Sequence, residues 1–246
     1  KSISSLIQLE YSAFSEATVP ICTFVLSNFD KNYAGIYLKL SEFTGGMDVQ
    51  KEKVLQIIKG DEILNDKNKF VTKQSNFDNI PGGLIAYWVN NIFIRSFNNI
   101  HLGKLGKLLM GTKTADNNKY LKMFWEIDFN KFNEKWIPCA KGGDYKKYYG
   151  NVEMVIDWSP EAKKFYKNNK SSSLTPDEFC FKEGITYNSV SSKGSGFRYL
   201  PVNSLSSNGG PLIINLTNIN YCLGFLNSCV AQYYLSVLNP TINLML

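Results

Sequence analysis

The chain is poor in the residues that many enzyme sites depend on. Among its 246 residues there is one histidine, His101, and there are two arginines, Arg95 and Arg198. A single histidine disfavours a His-rich metal site and a Ser–His–Asp triad, and His101, just before Leu102–Gly103, reads as a loop residue. The five cysteines (Cys22, Cys139, Cys180, Cys222 and Cys229) are odd in number and never spaced C-x-x-C. Neither a disulfide framework nor a zinc site is suggested, and a reducing, cytoplasmic setting is expected. Walker-type phosphate loops, G-x-G-x-x-G, H-E-x-x-H and G-x-S-x-G are all missing, and Gly194–Ser195–Gly196 is only a flexible turn. The longest apolar stretch, Tyr221–Leu238, is interrupted by Asn227, Ser228 and Gln232. It falls short of the roughly 20 apolar residues of a membrane span and reads as one buried helix. No secretory signal pattern opens the sequence. The chain starts at Lys1 in mid-pattern and stops after Leu244–Met245–Leu246, so it is expected to be a piece of something longer.

What is present supports a packed core: hydrophobic residues make up 44% and charged residues 20%, which excludes wholesale disorder. The length suits one large domain or two modest ones. Charge is unevenly placed. Residues 1–100 carry nine Lys and one Arg against ten acids, so the whole net charge of +6 lies in residues 101–246. A local basic excess points to a polyanion, although most charge runs are solvated faces.

The pattern along the chain is mixed. Ile3–Glu10 suits a strand. Pro20–Ser27, nearly all apolar, reads as a strand buried on both faces. Ile36–Ser41 alternates as a half-buried strand, joined to the previous one through the polar loop Asn28–Gly35 as a hairpin. Asp48–Lys59 has Val54, Leu55 and Ile58 at helical spacing, with Gly60 where a C-cap belongs. Gly60–Asn79 reads as a linker or exposed loop. In Leu84–Phe97, Ile85, Trp88, Val89 and Ile92 recur at helical spacing. Beyond that, many glycines punctuate short elements, as in a strand-and-loop domain. Glu153–Trp158 reads as a strand and Lys163–Thr175 as an exposed loop. There is no internal repeat.

Three segments carry candidate chemistry. Lys141–Asn151, K-G-G-D-Y-K-K-Y-Y-G-N, sets lysines for phosphates among tyrosine faces and glycines that allow close approach; the alternative is a glycine turn with solvated lysines and core tyrosines. Gly111–Asn118, G-T-K-T-A-D-N-N, offers small polar groups that either cap a helix or meet base edges. Gly184–Ser192 and Phe197–Pro201 (F-R-Y-L-P) bring Arg198, whose fork suits guanine or phosphate, or else an ion pair to Glu183.

The order of these segments carries a resemblance. G-T-K-T-A-D-N-N, W-I-P-C-A-K-G-G-D-Y-K-K-Y-Y-G-N, V-I-D-W, F-K-E-G-I-T-Y-N-S-V-S-S, F-R-Y-L-P and Y-C-L-G-F-L-N-S-C-V-A-Q-Y-Y-L-S-V-L-N-P-T together resemble the C-terminal half of large adenine-specific DNA methyltransferases of the phage-defence (BREX, phage growth limitation) type. Type IIG restriction–modification enzymes with a TaqI-like specificity domain are similar. The family runs T-G-D-N where this chain has Thr114–Ala115–Asp116–Asn117, K-G-G-x-x-R-K-W-Y-G-N where it has Lys146, Lys147 and Tyr148, and G-I-T-W-S where it has Gly184–Ile185–Thr186–Tyr187–Asn188. The match covers about Gly111–Thr241, and S-S-L-I-Q-L-E-Y-S-A-F-S-E-A-T-V-P-I-C-T-F-V-L-S-N resembles the last strands of the catalytic domain. The Asn/Asp-Pro-Pro-Tyr/Phe motif and the glycine-rich cofactor strand are missing; Asn239–Pro240–Thr241 does not replace the former.

The resemblance implies an α/β (mixed α+β) fragment. Residues 1–75 would supply the terminal strands, hairpin and helix of a Rossmann-like methyltransferase sheet, and residues 76–246 a strand-and-loop target-recognition domain, truncated at its C-terminus. It implies a parent enzyme that flips an adenine out of duplex DNA and methylates its amino nitrogen from S-adenosylmethionine. The fragment itself is expected to have no catalytic, cofactor-binding or metal-binding residues and to bind double-stranded DNA. The expected DNA-binding residues are Lys113, Thr114, Asp116, Asn117, Lys141, Gly142, Gly143, Tyr145, Lys146, Lys147, Thr186, Tyr187 and Arg198. The alternative is a module that binds other subunits of a defence complex and makes no DNA contact. A membrane partner is not expected.

Overall fold

The structure, a computed structural model, describes residues 2–11, 13–14, 16, 19–28, 33–191 and 193–239. Ser192, most of the loop between Ser27 and Gly35, and the end of the chain from Pro240 lie outside the described residues. The chain divides into two compact units, Lys1–Asn99 and Ile100–Leu246. Both mix helices with short strands, as an α/β chain should.

In the first unit, strands β1 (Ser2–Tyr11), β2 (Pro20–Ser27), β3 (Ala34–Lys39) and, after helices α1 (Gly46–Ile58) and α2 (Glu62–Asn68), β4 (Lys69–Lys73) form one sheet in the order β2-β1-β3-β4. The hairpin pair is β1 with β2, not β2 with β3: β3 lies parallel to β1, with Leu6 opposite Tyr37. The two middle strands are covered on both faces. Tyr37, fully buried, stacks on Tyr87 at 5.1 Å and meets Phe77 edge-on. Leu38 and Leu40 pack with Ile57 on the opposite side. The alternation in Ile36–Ser41 therefore does not mark a half-buried strand. Ile36 is exposed and Tyr37 is core, because aromatic residues from Phe77 to Trp88 cover the second face.

Other expectations fail for similar reasons. β2 is exposed along Cys22–Leu26 instead of buried, because among the described residues only β1 flanks it and nothing covers it. The segment 60–79 is not a linker: it holds α2, capped by Asp61, then β4 and a 3₁₀ turn with Phe77 in the core. In α1 the inward face is Gln50, Val54 and Ile57, whereas Leu55 and Ile58 face water. Gly60 follows with φ +91°, the left-handed stop that its position suggested. The helix expected over Leu84–Phe97 is short, α3 (Asn91–Ser96). Leu84–Asn90 is irregular, with Ala86 and Tyr87 buried and Ile85 exposed.

The second unit contains α4 (Leu102–Leu105), β5 (Lys107–Leu109), α5 (Asn117–Tyr120), β6 (Leu121–Met123), β7 (Trp136–Ala140), β8 (Met154–Asp157), α6 (Pro160–Asn168), β9 (Gly184–Tyr187), β10 (Phe197–Leu200), β11 (Leu205–Ser206), β12 (Leu212–Ile214), α7 (Ile219–Leu226) and α8 (Cys229–Leu238). They build two four-stranded sheets, β11-β7-β8-β6 and β10-β9-β12-β5. α6 and its aromatics Phe165 and Tyr166 cover the first sheet, while α7 and α8 cover the second. Ala140, Leu200, Leu212 and Ile214 form a further cluster that joins strands of both sheets. The exposed loop expected over 163–175 is confined to residues 169–174, because α6 runs to Asn168 and Thr175 is buried; Ser159 caps the helix with Pro160 behind it. The single helix expected over Tyr221–Leu238 is two helices, broken at Asn227–Ser228, with Ser228 capping the second.

Candidate nucleic-acid interface

Three loops of the second unit meet because glycine lets their backbones touch. A Cβ on Gly111 would stand 2.2 Å from the Ser207 carbonyl oxygen, and one on Gly142 would stand 2.3 Å from the Gly209 carbonyl oxygen. Backbone bonds fix the contact: Thr112 N–H donates to Ser206 O at 2.7 Å, Asn208 N–H to Thr112 O at 3.0 Å, and Ser207 N–H to Ala140 O at 2.8 Å. The segments after β5 and β7 and the turn before β12 are thus tied into one platform.

On this platform the first loop folds around its own polar groups. Thr114 is buried and its hydroxyl donates to Asn117 Oδ1 at 2.8 Å. Asp116 caps α5 by accepting from Lys119 N–H at 3.0 Å. Ala115 between them has φ +64°, a left-handed conformation that glycine adopts more easily. Thr114 and Asp116 are therefore occupied with the loop itself. Lys113 and Asn117 reach the cleft of about 330 Å³ that the loop shares with Lys141, Ser207, Asn208 and Gly209.

The second loop, Lys141–Asn151, is held at both ends. Lys141 N–H donates to Asn151 O, and the Asn151 side-chain amide to Asp144 O at 2.9 Å. Its middle is tied to β10 by Tyr148 N–H to Phe197 O and Tyr199 N–H to Tyr148 O, both 2.8 Å. Tyr148 (φ +69°), Gly150 (φ +131°) and Asn151 (φ +58°) all take left-handed backbone, a strain that persists only where surrounding bonds enforce it. The result turns Tyr145, Tyr148 and Tyr149 outward, 37%, 54% and 59% exposed, so they are surface faces and not core. Lys141, Gly142, Gly143 and Lys146 line a second cleft of about 330 Å³, with Glu153 opposite. Lys141 thus borders both clefts.

The lysines are not equivalent. Lys146 Nζ pairs with Glu153 at 3.1 Å, and Lys147 Nζ donates to Asn227 O at 3.0 Å. Lys113 and Lys141 have no side-chain ion pair or hydrogen bond among the described residues.

Thr186, Tyr187 and Arg198 lie beneath the surface. Thr186 donates to Gly210 O at 3.3 Å. Tyr187 packs on Phe197, and burial pushes its phenol up to about 12. Arg198 is fully buried. Its Nη1 reaches Gly196 O at 3.5 Å, while Nε and Nη2 have no hydrogen-bond partner. Burial lowers its pKa, and the Glu153 carboxylate opposes that shift. The ion pair to Glu183 is not made, since Glu183 accepts from Tyr199 Oη at 2.9 Å. Ser207–Gly209, Glu153 and Asn227 belong to the arrangement without a site signal in the sequence, where Asn227 stands out only as a break in the apolar stretch 221–238 and Glu153 only as the start of a strand. Among the described residues no group of His, Cys, Asp and Glu is arranged to hold a metal ion, and no helix is long and apolar enough to cross a membrane.

The chain is 34% identical over 203 residues to the adenine-specific methyltransferase BrxX of Escherichia coli O9:H4 (strain HS), covering 75% of the chain. It is 28% identical over 234 residues to the adenine-specific methyltransferase PglX of Lacticaseibacillus casei (strain Zhang), covering 87% of the chain. The chain is a partial homologue of adenine-specific methyltransferases. It spans 16% and 19% of the length of these two relatives. No protein-family model matches it.

Proposed function

We propose that this chain is the DNA-reading part of a site-specific adenine-N6 DNA methyltransferase of a phage-defence or restriction–modification system, related to enzymes with TaqI-like specificity domains and acting in the cytoplasm. In this reading residues 1–75 complete the catalytic sheet and residues 76–246 hold the duplex. The observation that carries it is the pair of clefts meeting at Lys141, with Lys113 unpaired on one side, three exposed tyrosines alongside, and backbone that glycine alone allows to close. Lys113 and Lys141 would meet phosphates, Asn117 and the tyrosines bases or sugars. The bare apolar edge β2, with Phe24, Val25 and Leu26 exposed, suits pairing with a further strand of a longer parent.

In this reading S-adenosylmethionine, the methyl donor of such a parent, is held outside this chain, whose sequence has neither an Asn/Asp-Pro-Pro-Tyr/Phe motif nor a glycine-rich cofactor strand. Methyl transfer then belongs to other parts of the parent.

One observation favours a protein partner instead. Phe124, Phe129, Phe132, Tyr149 and Val202 line a groove of about 400 Å³ over Pro138 and Val155, beside the sheet face opposite α6. Exposed apolar patches of this kind mark interaction sites.

The test is binding to a random pool of duplex DNA across a salt series. DNA contact predicts affinity that falls steeply with salt. Replacing Lys113 and Lys141 together by alanine should weaken binding about tenfold and flatten the log–log salt slope by about 2, near 0.9 for each phosphate contact. A folded chain with no binding at low salt sinks the DNA reading, and salt-tolerant association with another subunit supports the second.

A further inference from the structure

Two carboxylates, Asp144 and Glu153, line the second cleft, and among the described residues Glu153 is the one that pairs with Lys146. Its oxygen lies 3.1 Å from Lys146 Nζ, and both side chains are more than 40% exposed, so the pair is open to competition from solvent ions. Lys146 itself is fixed on the strained loop, since a Cβ on Gly196 would stand 2.4 Å from its carbonyl oxygen. Beside this pair Arg198 is fully buried with Nε and Nη2 unpartnered. A buried guanidinium without a hydrogen-bonded counter-ion is costly, because burial removes water from the charge and the Gly196 carbonyl replaces only part of it. The Glu153 carboxylate is held below the usual range, first by a bond to its own backbone N–H, then by Lys146, with Arg198 adding its field.

We propose that Lys146, with the Gly142–Gly143 wall of its cleft, is a seat for one phosphate group, and that Glu153 occupies that seat in the free protein. An arriving phosphate takes the Lys146 ammonium. The displaced carboxylate, repelled by the phosphate, turns toward Arg198, whose unpartnered Nε and Nη2 donate to it. The carboxylate therefore discriminates against weak anions, because only a ligand held at further points, such as a nucleic-acid backbone also bound at Lys141, outcompetes it. This deepens the DNA reading and rests on it for the source of the phosphate.

The experiment compares the wild type, Glu153→Gln and Glu153→Gln/Lys146→Met, all checked for folding by hydrogen exchange, in binding to random duplex DNA across salt and to inorganic pyrophosphate. The seat predicts that Glu153→Gln binds the duplex about 2- to 5-fold tighter, the scale of an exposed ion pair, with an unchanged salt slope because the same phosphates are neutralised in both proteins. Lys146→Met should erase the gain and flatten the slope by about 0.9. A purely structural ion pair would instead leave affinity unchanged or lower it. Equal duplex binding by wild type and Glu153→Gln overturns the seat and leaves the DNA reading standing. If no protein binds duplex, a gain for pyrophosphate that needs Lys146 supports the seat for a free phosphate ligand and removes the DNA reading; no gain with either probe overturns the seat.

Discussion

Asn227 is expected to be the most sensitive polar residue of the second unit. It sits between α7 and α8 and is 4% exposed. Its Oδ1 accepts from Phe197 N–H at 3.1 Å, and its Nδ2 donates to Phe197 O at 2.9 Å and Leu223 O at 3.0 Å. Its main-chain oxygen accepts Lys147 Nζ. In Asn227→Ala both carbonyls keep a second donor: Phe197 O retains Tyr148 N–H, and Leu223 O retains the main-chain N–H of residue 227. The Phe197 N–H keeps nothing, and Phe197 is fully buried. Stranding that donor costs about 1–3 kcal/mol, and the two lost donated bonds add roughly 1 kcal/mol between them. The expected loss is thus about 2–4 kcal/mol, read as a lower urea midpoint with an unchanged slope and faster hydrogen exchange at Phe197. A loss below about 1 kcal/mol by that same accounting would refute the reasoning. Asn227→Asp keeps the acceptor but aims a carboxylate at two carbonyl oxygens. It should lose at least as much at pH 7 and recover part of it in acid, where the neutral side chain donates again.

Ala115→Gly should stabilise the chain by about 0.5–1 kcal/mol: relief of the left-handed conformation gains about 1–2 kcal/mol, and glycine's looser unfolded state offsets part of it. A lower thermal midpoint would contradict this. A thiol reagent should modify Cys22 and Cys229 quickly and Cys139, Cys180 and Cys222 only on unfolding, because only the first two are exposed and burial pushes Cys139 up to about 12 and Cys180 to about 11; modification of all five at one rate would show the core to be open. Stability should fall as pH rises from about 9 to about 12. Cys139 and Tyr187 stay neutral in the fold while the unfolded chain releases their protons earlier, so the unfolded state binds fewer protons there. Cys139→Ala should shallow that fall, and an unchanged profile would count against it.

Much of the local structure was readable from the chain. β1, β2, α1 and β8 stand close to where apolar runs and the Gly60 stop put them. The loops at 111–118 and 141–151 were readable because glycine, threonine and asparagine in those patterns serve turns and caps. Pattern failed where burial depends on a partner far along the chain. Tyr37 looks like the outer face of a strand until Tyr87 covers it. The run Pro20–Ser27 looks like a central strand, because an apolar sequence is the same whether its neighbour is near or elsewhere. Tyr221–Leu238 looks like one helix, but Asn227 is called away to the Phe197 backbone.

The sequence by itself determined the mixed fold class, the uneven charge, the want of histidine chemistry and the place of the glycine loops, since these follow from composition and local conformational preference. Only the tertiary structure decided which polar side chains are free. It spends Thr114, Asp116 and Lys147 on internal hydrogen bonds, buries Thr186 and Arg198, pairs Lys146 with Glu153, and leaves Lys113 and three tyrosines exposed and Lys141 half-buried at the edge of both clefts. Residue type fixes what a side chain can bind, but burial and competing partners, set by contacts between distant segments, fix whether it is available to do so.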